Sequence, residues 1–368
     1  MVDAAIRTAP ALQALVERVN AARAAGAQLS IRGGGTKDFY GEAPHGEPLD
    51  TTVLAGISSY DPTELVVTAR CGTPLAELET ALAEHGQCLP FEPPRFSPGG
   101  TVGGMVAAGL SGPSRAAVGC VRDHLLGVTL LNGVGEVLSF GGQVMKNVAG
   151  YDVSRLLAGS MGTLGLILEA SLKVMPIAPA TATLRFEMGQ ATAITRLNEW
   201  GGQPLPINAS AWSKGMLVLR LRGALAAVQA AIASLGGEVV EPVFAGTLWA
   251  GLRDQHDEFF AAAAQHIGDG DSLWRLSLPS TAPPLELPGE LLIEWGGAER
   301  WLCSGASAAR VREATATAGG HATLFRGNDR SAGVFAPLRA PLDRIHRELK
   351  KSFDPAGVFN PGRLYLGL

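Results

Sequence analysis

The sequence lacks the features expected of a metal-binding protein or of a nucleic-acid-binding protein. Its four cysteines, Cys71, Cys88, Cys120 and Cys303, show no CxxC or similar spacing, so they predict neither a zinc site nor an iron–sulfur cluster. Charged residues make up only 17% of the chain and the formal net charge is -4. This charge argues against a protein that grips nucleic acid or anionic lipid through a basic face. We predict no metal site and no nucleic-acid partner.

Long apolar segments are also missing. The N-terminal stretch MVDAAIRTAP has no basic region followed by an apolar core, and the most apolar glycine-rich run, near 98–110, is too short to span a bilayer. We therefore expect a cytoplasmic protein without a transmembrane segment. Its 368 residues, 46% of them hydrophobic, are enough to build two domains.

Glycine is abundant, with 47 residues, and it concentrates in loops of the first half. SIRGGGTKDFYG at 30–41 sets three glycines after a short apolar strand, and SPGGTVGGMVAAGLSGPSRAAVG at 97–119 is too rich in small residues for an ordinary core helix. Each cluster alone is equally consistent with a tight turn. Together they predict a phosphate cradle, because backbone N–H groups without neighbouring Cβ atoms can converge on a pyrophosphate. The chain has neither a GxxxxGK[ST] loop nor a GxGxxG turn after its first strand, so this cradle is of another type.

The composition of the chain changes near residue 176. After MPIAPATA, strands and helices alternate in a pattern typical of an antiparallel sheet with helices on one side. Glycine and proline become frequent again from residue 326. Within this segment, the spacing of Leu342, Ile345 and Leu349 predicts a helix with one apolar face. The predicted divisions are a first unit at 1–176, a second unit at 177–325 and a C-terminal segment at 326–368.

Several of these stretches together resemble the FAD-binding domain of the p-cresol methylhydroxylase and vanillyl-alcohol oxidase type. They are IRGGGTKDFYG, SPGGTVGGMVAAGLSGP, VRDHLLGVTLLNGVGEVLSFGG, KNVAGYDVSRLLAGSMGTLGLI and FDPAGVFNPGRLY. The resemblance implies an α+β fold with a two-subdomain FAD-binding domain, a smaller antiparallel α+β cap domain, and a C-terminal tail that returns to the FAD domain. VMKNVAGYDVSRLLAGSMGTLG narrows the resemblance to the D-2-hydroxyacid dehydrogenase group, and within it to the FAD-binding E subunits of bacterial glycolate oxidases.

The resemblance implies a function and partners. The chain would be an FAD-binding subunit of a complex that oxidises glycolate, with D-lactate as a second candidate substrate, to the 2-oxoacid. Its partners would be a larger FAD-containing glycolate oxidase subunit and an iron–sulfur subunit that passes electrons onward at the inner face of the membrane. Two alternatives stay open: a self-sufficient FAD-dependent D-2-hydroxyacid dehydrogenase, and a non-catalytic scaffold that keeps the FAD fold.

The resemblance also implies which residues hold FAD. Residues 32–37 would form the first pyrophosphate loop, residues 98–104 a second loop facing phosphate and flavin, and residues 159–164 would line the dinucleotide. Ile167 would lie on the adenine side, and Asn360 near the flavin ring. The complete predicted set is Arg32, Gly33, Gly34, Gly35, Thr36, Lys37, Pro98, Gly99, Gly100, Thr101, Gly103, Gly104, Ser111, Gly112, Gly159, Ser160, Gly162, Thr163, Leu164, Ile167 and Asn360.

Two departures from the family pattern shape the expected chemistry. Thr36 stands where members that attach FAD through histidine have that histidine, and Cys120, the other candidate for a covalent bond, is more typical of a buried apolar filler. We therefore predict noncovalent FAD. His256, His266 and His321 do not form the motif of two histidines and an acid that holds metal in the catalytic relatives.

The sequence assigns no catalytic residue. Oxidation of a 2-hydroxyacid needs a cation for the carboxylate, a base or metal near the hydroxyl, and a flavin placed to take hydride. The candidates, each equally at home in a structural role, are Arg326, Arg363, Lys146 and Tyr151. His346 and Lys350, one turn apart on the last predicted helix, are expected to face water.

Overall fold

The structure, a computed structural model, describes residues 9–142 and 152–368. The first half of the chain supplies the elements that surround the glycine-rich loops. In chain order they are α1 (Pro10–Ala25), β1 (Leu29–Arg32), β2 (Glu47–Asp50), β3 (Ile57–Asp61), β4 (Val66–Arg70), α2 (Leu75–Glu84), β5 (Gln87–Cys88), α3 (Val102–Ala108), α4 (Arg115–Val118), α5 (Val121–His124), β6 (Leu125–Leu131), β7 (Val137–Gly141), α6 (Val153–Leu157), β8 (Leu166–Lys173) and β9 (Met175–Pro176).

Most strands of the first half belong to one of two sheets, a two-stranded parallel sheet and a five-stranded antiparallel sheet. Strands β1 and β2 pair in parallel, and the C-terminal segment joins them where Phe359 bridges to Leu29. Five further strands form an antiparallel sheet in the order β3-β4-β8-β6-β7. Strand β8 lies in its middle and is buried along nearly its whole length. Leu75, Leu78 and Leu82 form the apolar face of α2, which is buried against this sheet.

The second half of the chain builds one large sheet. Its elements are β10 (Ala180–Glu187), α7 (Gln190–Gly201), β11 (Ile207–Ser213), β12 (Met216–Gly223), α8 (Leu225–Leu235), β13 (Glu238–Val239), α9 (Pro242–Asp254), α10 (Glu258–Gly268), β14 (Ser272–Ser277), β15 (Glu290–Glu294), β16 (Glu299–Ser304), α11 (Ala308–Thr317) and β17 (His321–Arg326). The eight strands pair antiparallel in the order β13-β10-β12-β11-β15-β16-β14-β17.

The prediction that helices cover only one side of this sheet is wrong. Helices α7, α8 and α11 pack on one face. Helices α9 and α10 contribute Trp249, Phe259 and Phe260 to the core of the other face, where Tyr40, Leu110 and other residues of the first half also pack. Side chains alternate between the two faces of a strand, and both faces of this sheet are apolar, so both require a cover.

The last helix, α12 (Leu342–Phe353), departs from its sequence prediction. Leu342 and Ile345 are 49% and 44% exposed, so only part of the predicted apolar face is covered. Lys350, which we expected to face water, is buried at 9% exposure. Its ammonium group has three oxygen partners inside the protein, which compensate the loss of water.

In the described part of the chain, we find no helix that combines the length and the apolar character needed to cross a bilayer.

Candidate functional site

The three glycine-rich loops and the C-terminal tail meet at one cleft. The space enclosed is about 740 Å³, part of it open to solvent. Strand β1 leads into the first loop, α3 follows the second loop, and β8 follows the third, so three separate elements fix the walls. The predicted residues that line the cleft are Arg32, Gly33, Gly34, Gly35, Thr36, Lys37, Thr101, Gly103, Gly104, Gly162, Ile167 and Asn360.

The first two loops touch each other through backbone. A Cβ atom on Gly34 would lie 1.6 Å from the carbonyl oxygen of Gly99, and one on Gly33 would lie 2.5 Å from Thr101 Oγ1. Neither position has space for a side chain. These two glycines therefore allow the close approach of the two loops, and this approach shapes the cleft wall.

Helix α3 is fixed directly behind the second loop. The Thr101 hydroxyl caps it by accepting a hydrogen bond from the Gly104 N–H at 3.2 Å. A Cβ on Gly103 would lie only 2.7 Å from the Cβ of Cys71, so α3 packs closely on the end of β4. Burial raises the pKa of the Cys71 thiol to about 12, which keeps this cleft-lining cysteine protonated and unreactive.

Asn360 holds the C-terminal tail against two other walls. Its Oδ1 accepts from the Ile31 N–H at 2.7 Å, and its Nδ2 donates to the Met161 carbonyl at 2.6 Å. A Cβ on Gly162 would lie 2.7 Å from that Nδ2. Asn360 itself has a φ of 43°, a region that asparagine enters more readily than most residues. One side chain thus joins β1, the third loop and the tail.

The remaining predicted residues do not line the cleft. They are Pro98, Gly99, Gly100, Ser111, Gly112, Gly159, Ser160, Thr163 and Leu164. Several of them shape the loops from behind: a Cβ on Gly109 would lie 2.8 Å from the Gly159 Cα, and the Thr163 hydroxyl donates to the Ser160 carbonyl at 2.7 Å. Ser111 and Gly112 line a different cavity.

Arg363 is the main cleft residue missing from the predicted set. It lines the cleft and is only 7% exposed. Its guanidinium donates to the carbonyls of Glu42, Lys37 and Asp38. These hydrogen bonds hold the end of the first loop in place. The sequence offered Arg363 only as a candidate for catalysis and not as a cleft-supporting residue, because its partners lie more than 300 residues away in the chain.

Two cations that line the cleft, Arg32 and Lys37, lie in different environments. Arg32 forms an ion pair with Asp38 at 2.8 Å and is exposed. Lys37 donates only to the Thr36 hydroxyl, at 3.4 Å, among the described residues. Burial lowers the pKa of Lys37 to about 8. A cleft of this size, lined by backbone and by these cations, fits the anionic linker of a dinucleotide.

Of the sequence candidates for catalysis, Arg363 lines the cleft and Arg326 does not. Lys146 and Tyr151 fall outside the described residues. Arg326 stacks on the Phe39 ring, 3.7 Å from its centroid. Cys120 donates to the Asp123 carboxylate at 3.2 Å and does not line the cleft. In residues 9–142 and 152–368, no cluster of histidine, cysteine and acidic side chains suits a metal ion.

A second cavity, which the sequence did not reveal, lies between the glycine-rich half and the large sheet. Phe96, Leu110 and Ser111 line it from the first half, and Arg275, Glu294, Glu299, Trp301 and Phe325 from the sheet. Glu294 and Glu299 are directly opposite each other on β15 and β16, and both are nearly completely buried. Burial raises the pKa of Glu294 well above its usual range, and repulsion from Glu299 raises it further.

Comparisons with known proteins agree with this architecture. A family model described as FAD binding domain matches residues 4–141. Glycolate oxidase subunit GlcE of Escherichia coli (strain K12) is 49% identical over 356 residues, which cover 97% of this chain and 98% of that protein. A D-lactate dehydrogenase of Anaerostipes hadrus is 34% identical over 140 residues, or 38% of this chain and 29% of that protein.

Among solved structures, an alkyldihydroxyacetonephosphate synthase superposes with a TM-score of 0.62 at 15% identity, covering 95% of this chain and 75% of that one. At this identity the likeness shows the fold alone. With the family match, it confirms the predicted α+β fold class. The family match and the relatives confirm the predicted cofactor, FAD. Since the likeness to the Escherichia coli protein spans nearly the whole of both chains, the chain belongs to the family of the glycolate oxidase subunit GlcE.

Proposed function

We propose that this chain is the FAD-carrying subunit of a complex that oxidises glycolate, and D-lactate as a second candidate, to the corresponding 2-oxoacid. The observation that carries the proposal is the 49% identity over 97% of the chain to a protein named as a glycolate oxidase subunit. The cleft supports it, because three side-chain-poor loops and the tail surround a space suited to a dinucleotide.

The cleft residues have distinct roles in this proposal. Residues 32–37 and the second loop hold the pyrophosphate through their backbone, and Asn360 keeps the tail closed on the third loop. When bound, FAD supplies the acceptor for the hydride that leaves the hydroxyacid. We propose that it is held noncovalently, since Thr36 and not a histidine lines the cleft at the end of the glycine run.

The proposed partners are a larger FAD-containing subunit and an iron–sulfur subunit that takes the electrons onward. The word subunit in the name of the Escherichia coli relative supports a multi-subunit enzyme. We propose a cytoplasmic location, at the inner face of the membrane through these partners. We also propose the division at 1–176, 177–325 and 326–368. The end of β9 at Pro176 and the start of the large sheet at Ala180 support that division.

A second candidate function is a self-sufficient FAD-dependent D-2-hydroxyacid dehydrogenase. The ion pair between half-buried Arg275 and buried Glu299, with Glu294 in the same cavity, favours it, because these groups supply a cation and carboxyl groups able to exchange a proton within this chain.

Anaerobic flavin titration distinguishes the two functions. The purified chain is expected to be yellow and to release FAD on denaturation. Glycolate should bleach the flavin only when the copurified partner subunits are present; bleaching of the isolated chain would favour the self-sufficient enzyme. A complex that stays oxidised with both glycolate and D-lactate would contradict the proposed function.

A further inference from the structure

The first loop presents backbone donors that have no acceptor inside the protein. Among the described residues, none of the N–H groups of residues 33–37 has a hydrogen-bond acceptor. Consecutive free N–H groups form a concave site that attracts anions. They are dipoles, however, and they add no net charge. The two phosphates of the FAD linker bring negative charge into a partly enclosed cleft, where a charge without a partner is costly. The site therefore requires a cationic side chain as well.

Three cations in the described part of the chain line the cleft, and two of them already have partners. Arg32 forms an ion pair with Asp38 at 2.8 Å, and the Arg363 guanidinium donates to three backbone carbonyls. Lys37 has a single hydrogen-bond partner among the described residues, the Thr36 hydroxyl, at 3.4 Å. An ammonium group has three N–H donors. Lys37 is therefore the cation that is free to bind an anion in the cleft.

The Lys37 ammonium group lies where the first two loops meet. The Thr36 Oγ1 that it contacts is close to the second loop, because a Cβ on Gly100 would lie 3.6 Å from this oxygen. On its other side, Nζ lies 5.6 Å from the centroid of the Phe96 ring. The side chain is half-buried in this position. Its free donors are thus held beside the two loops that are proposed to carry the linker.

No neighbouring acid is available to Lys37. Asp254 acts on it through space, but Asp254 is paired with Arg253 at 2.6 Å and also accepts from the Arg95 N–H. The other charged or titratable groups around Lys37 are Asp38, His256, Arg326 and Arg363. Burial outweighs the attraction of Asp254 and lowers the pKa of Lys37 to about 8. In the free chain, Lys37 is therefore mostly neutral near pH 9.

We propose that the Lys37 side chain supplies the cation for the anionic linker of FAD, and that the free chain takes up a proton at Lys37 when it binds FAD at alkaline pH. A nearby negative charge favours the ammonium form, so the linker raises the pKa of Lys37 in the complex. FAD binds with full affinity below the pKa of Lys37 in the free chain, about 8, and more weakly as pH rises above it. This inference rests on the proposed FAD site and makes its occupancy depend on pH.

Isothermal titration calorimetry tests the proton uptake directly. FAD is titrated into the FAD-free full chain in two buffers of different ionisation enthalpy, which gives the number of protons taken up per FAD. The wild type should take up close to one proton near pH 9 and almost none near pH 6.5. Its affinity should fall by up to about tenfold per pH unit above about pH 8.

Two substitutions of Lys37 separate its charge from its titration. Lys37→Met should bind FAD at least about tenfold more weakly near pH 7, because it removes a charge-assisted hydrogen bond, and should take up no proton near pH 9. Lys37→Arg should keep much of the affinity and lose the proton uptake, because a guanidinium does not titrate in this range. Lys351→Met, at an exposed position outside the cleft, is the matched control and should behave as wild type. Circular dichroism confirms that each variant folds.

ADP carries the same linker without the flavin ring. The dissociation constant of ADP, measured by displacement of FAD, should rise in Lys37→Met by about the same factor as that of FAD. An unchanged constant for ADP would place Lys37 against another part of FAD and would overturn the inference. Wild-type binding without proton uptake near pH 9, or Lys37→Met protein that still takes up a proton, would do the same. In either case, bleaching of the FAD-loaded complex by glycolate would still support the proposed function.

Discussion

At the scale of single residues, the glycines of the cleft serve mainly to bring two stretches of backbone together. The sequence correctly indicated that bare backbone is needed at 33–35, but the nearest neighbour of the missing Gly34 side chain is the Gly99 carbonyl. The same limit applies to Arg275 and Glu294. Neither lies in a recognisable motif, and their shared cavity forms only where the large sheet packs against Phe96 and residues 110–113.

Gly34→Ala tests this role of the first loop. The alanine Cβ would overlap the Gly99 oxygen, at 1.6 Å, so the two loops must separate. We expect the free energy of unfolding to fall by about 1–3 kcal/mol, and the purified variant to retain less FAD. Urea unfolding and the ratio of flavin to protein absorbance measure the two effects.

Gly246→Ala is the control, because nothing lies within 4 Å of a Cβ at this helical glycine. It should leave FAD content unchanged and keep or slightly raise stability. A Gly34→Ala protein with wild-type stability and full FAD content would show that the loops need not touch.

At the scale of elements, local pattern predicted most of the first half but missed much of the large sheet. The turn at 132–135 and the apolar face of α2 follow local patterns that can be read from the sequence: Asn and Gly between two apolar runs, and leucines at helical spacing. The pattern did not reveal β11, INASAWS, because its alanines and serines have weak strand preference and the strand exists through pairing with β12 and β15. Likewise, Lys350 looks like a surface residue until the tail folds around it.

Lys350 ties helix α12 to both the tail and the third loop. Its Nζ donates to Asp354 Oδ2 and to the carbonyls of Thr163 and Phe359, all within 2.7–2.8 Å. Asp354, whose side chain is fully buried, in turn accepts from the Val358 and Phe359 N–H groups. Helix, tail and loop therefore form one connected unit.

Lys350→Met should lower the free energy of unfolding by about 3–5 kcal/mol, because it leaves the buried Asp354 charge without its cation. Thermal and urea unfolding measure the loss. Lys351→Met, at the exposed next position, should change stability by less than about 0.5 kcal/mol. Equal effects of the two substitutions would mean that the buried contacts of Lys350 carry no stability.

At the scale of the whole molecule, Glu92 joins the glycine-rich half to the large sheet. Its two carboxylate oxygens accept from Arg220 Nη2 at 2.8 and 2.7 Å, and it also accepts from the Ser114 N–H at 3.1 Å. Burial alone would raise the pKa of Glu92, but Arg220, Arg222 and the Ser114 N–H together outweigh burial and hold the pKa below its usual value of 4.5. The two halves are therefore held together most firmly when Glu92 is ionised.

Glu92→Gln should destabilise the protein by about 2–3 kcal/mol at neutral pH, because it weakens hydrogen bonds to a charged partner. The group with a lowered pKa stabilises the fold above its unfolded pKa and loses that effect as pH falls through the folded value. The difference in unfolding free energy between wild type and variant should therefore shrink below about pH 4.5. Urea unfolding at several pH values measures it.

Glu187→Gln, at an exposed position of β10, is the control and should track the wild type at each pH. A wild-type to Glu92→Gln difference that stayed constant down to pH 3 would show that ionisation of Glu92 does not hold the halves together.

The return of the C-terminal tail to the cleft has a consequence for the timing of biosynthesis. Asn360 and Arg363 lie within the last ten residues of the chain, yet each forms part of the cleft wall. While a ribosome still covers these residues, the nascent protein lacks one side of its cavity. Cofactor capture must then wait until residues 360–363 have left the ribosome, more than 300 residues after the first loop has been made.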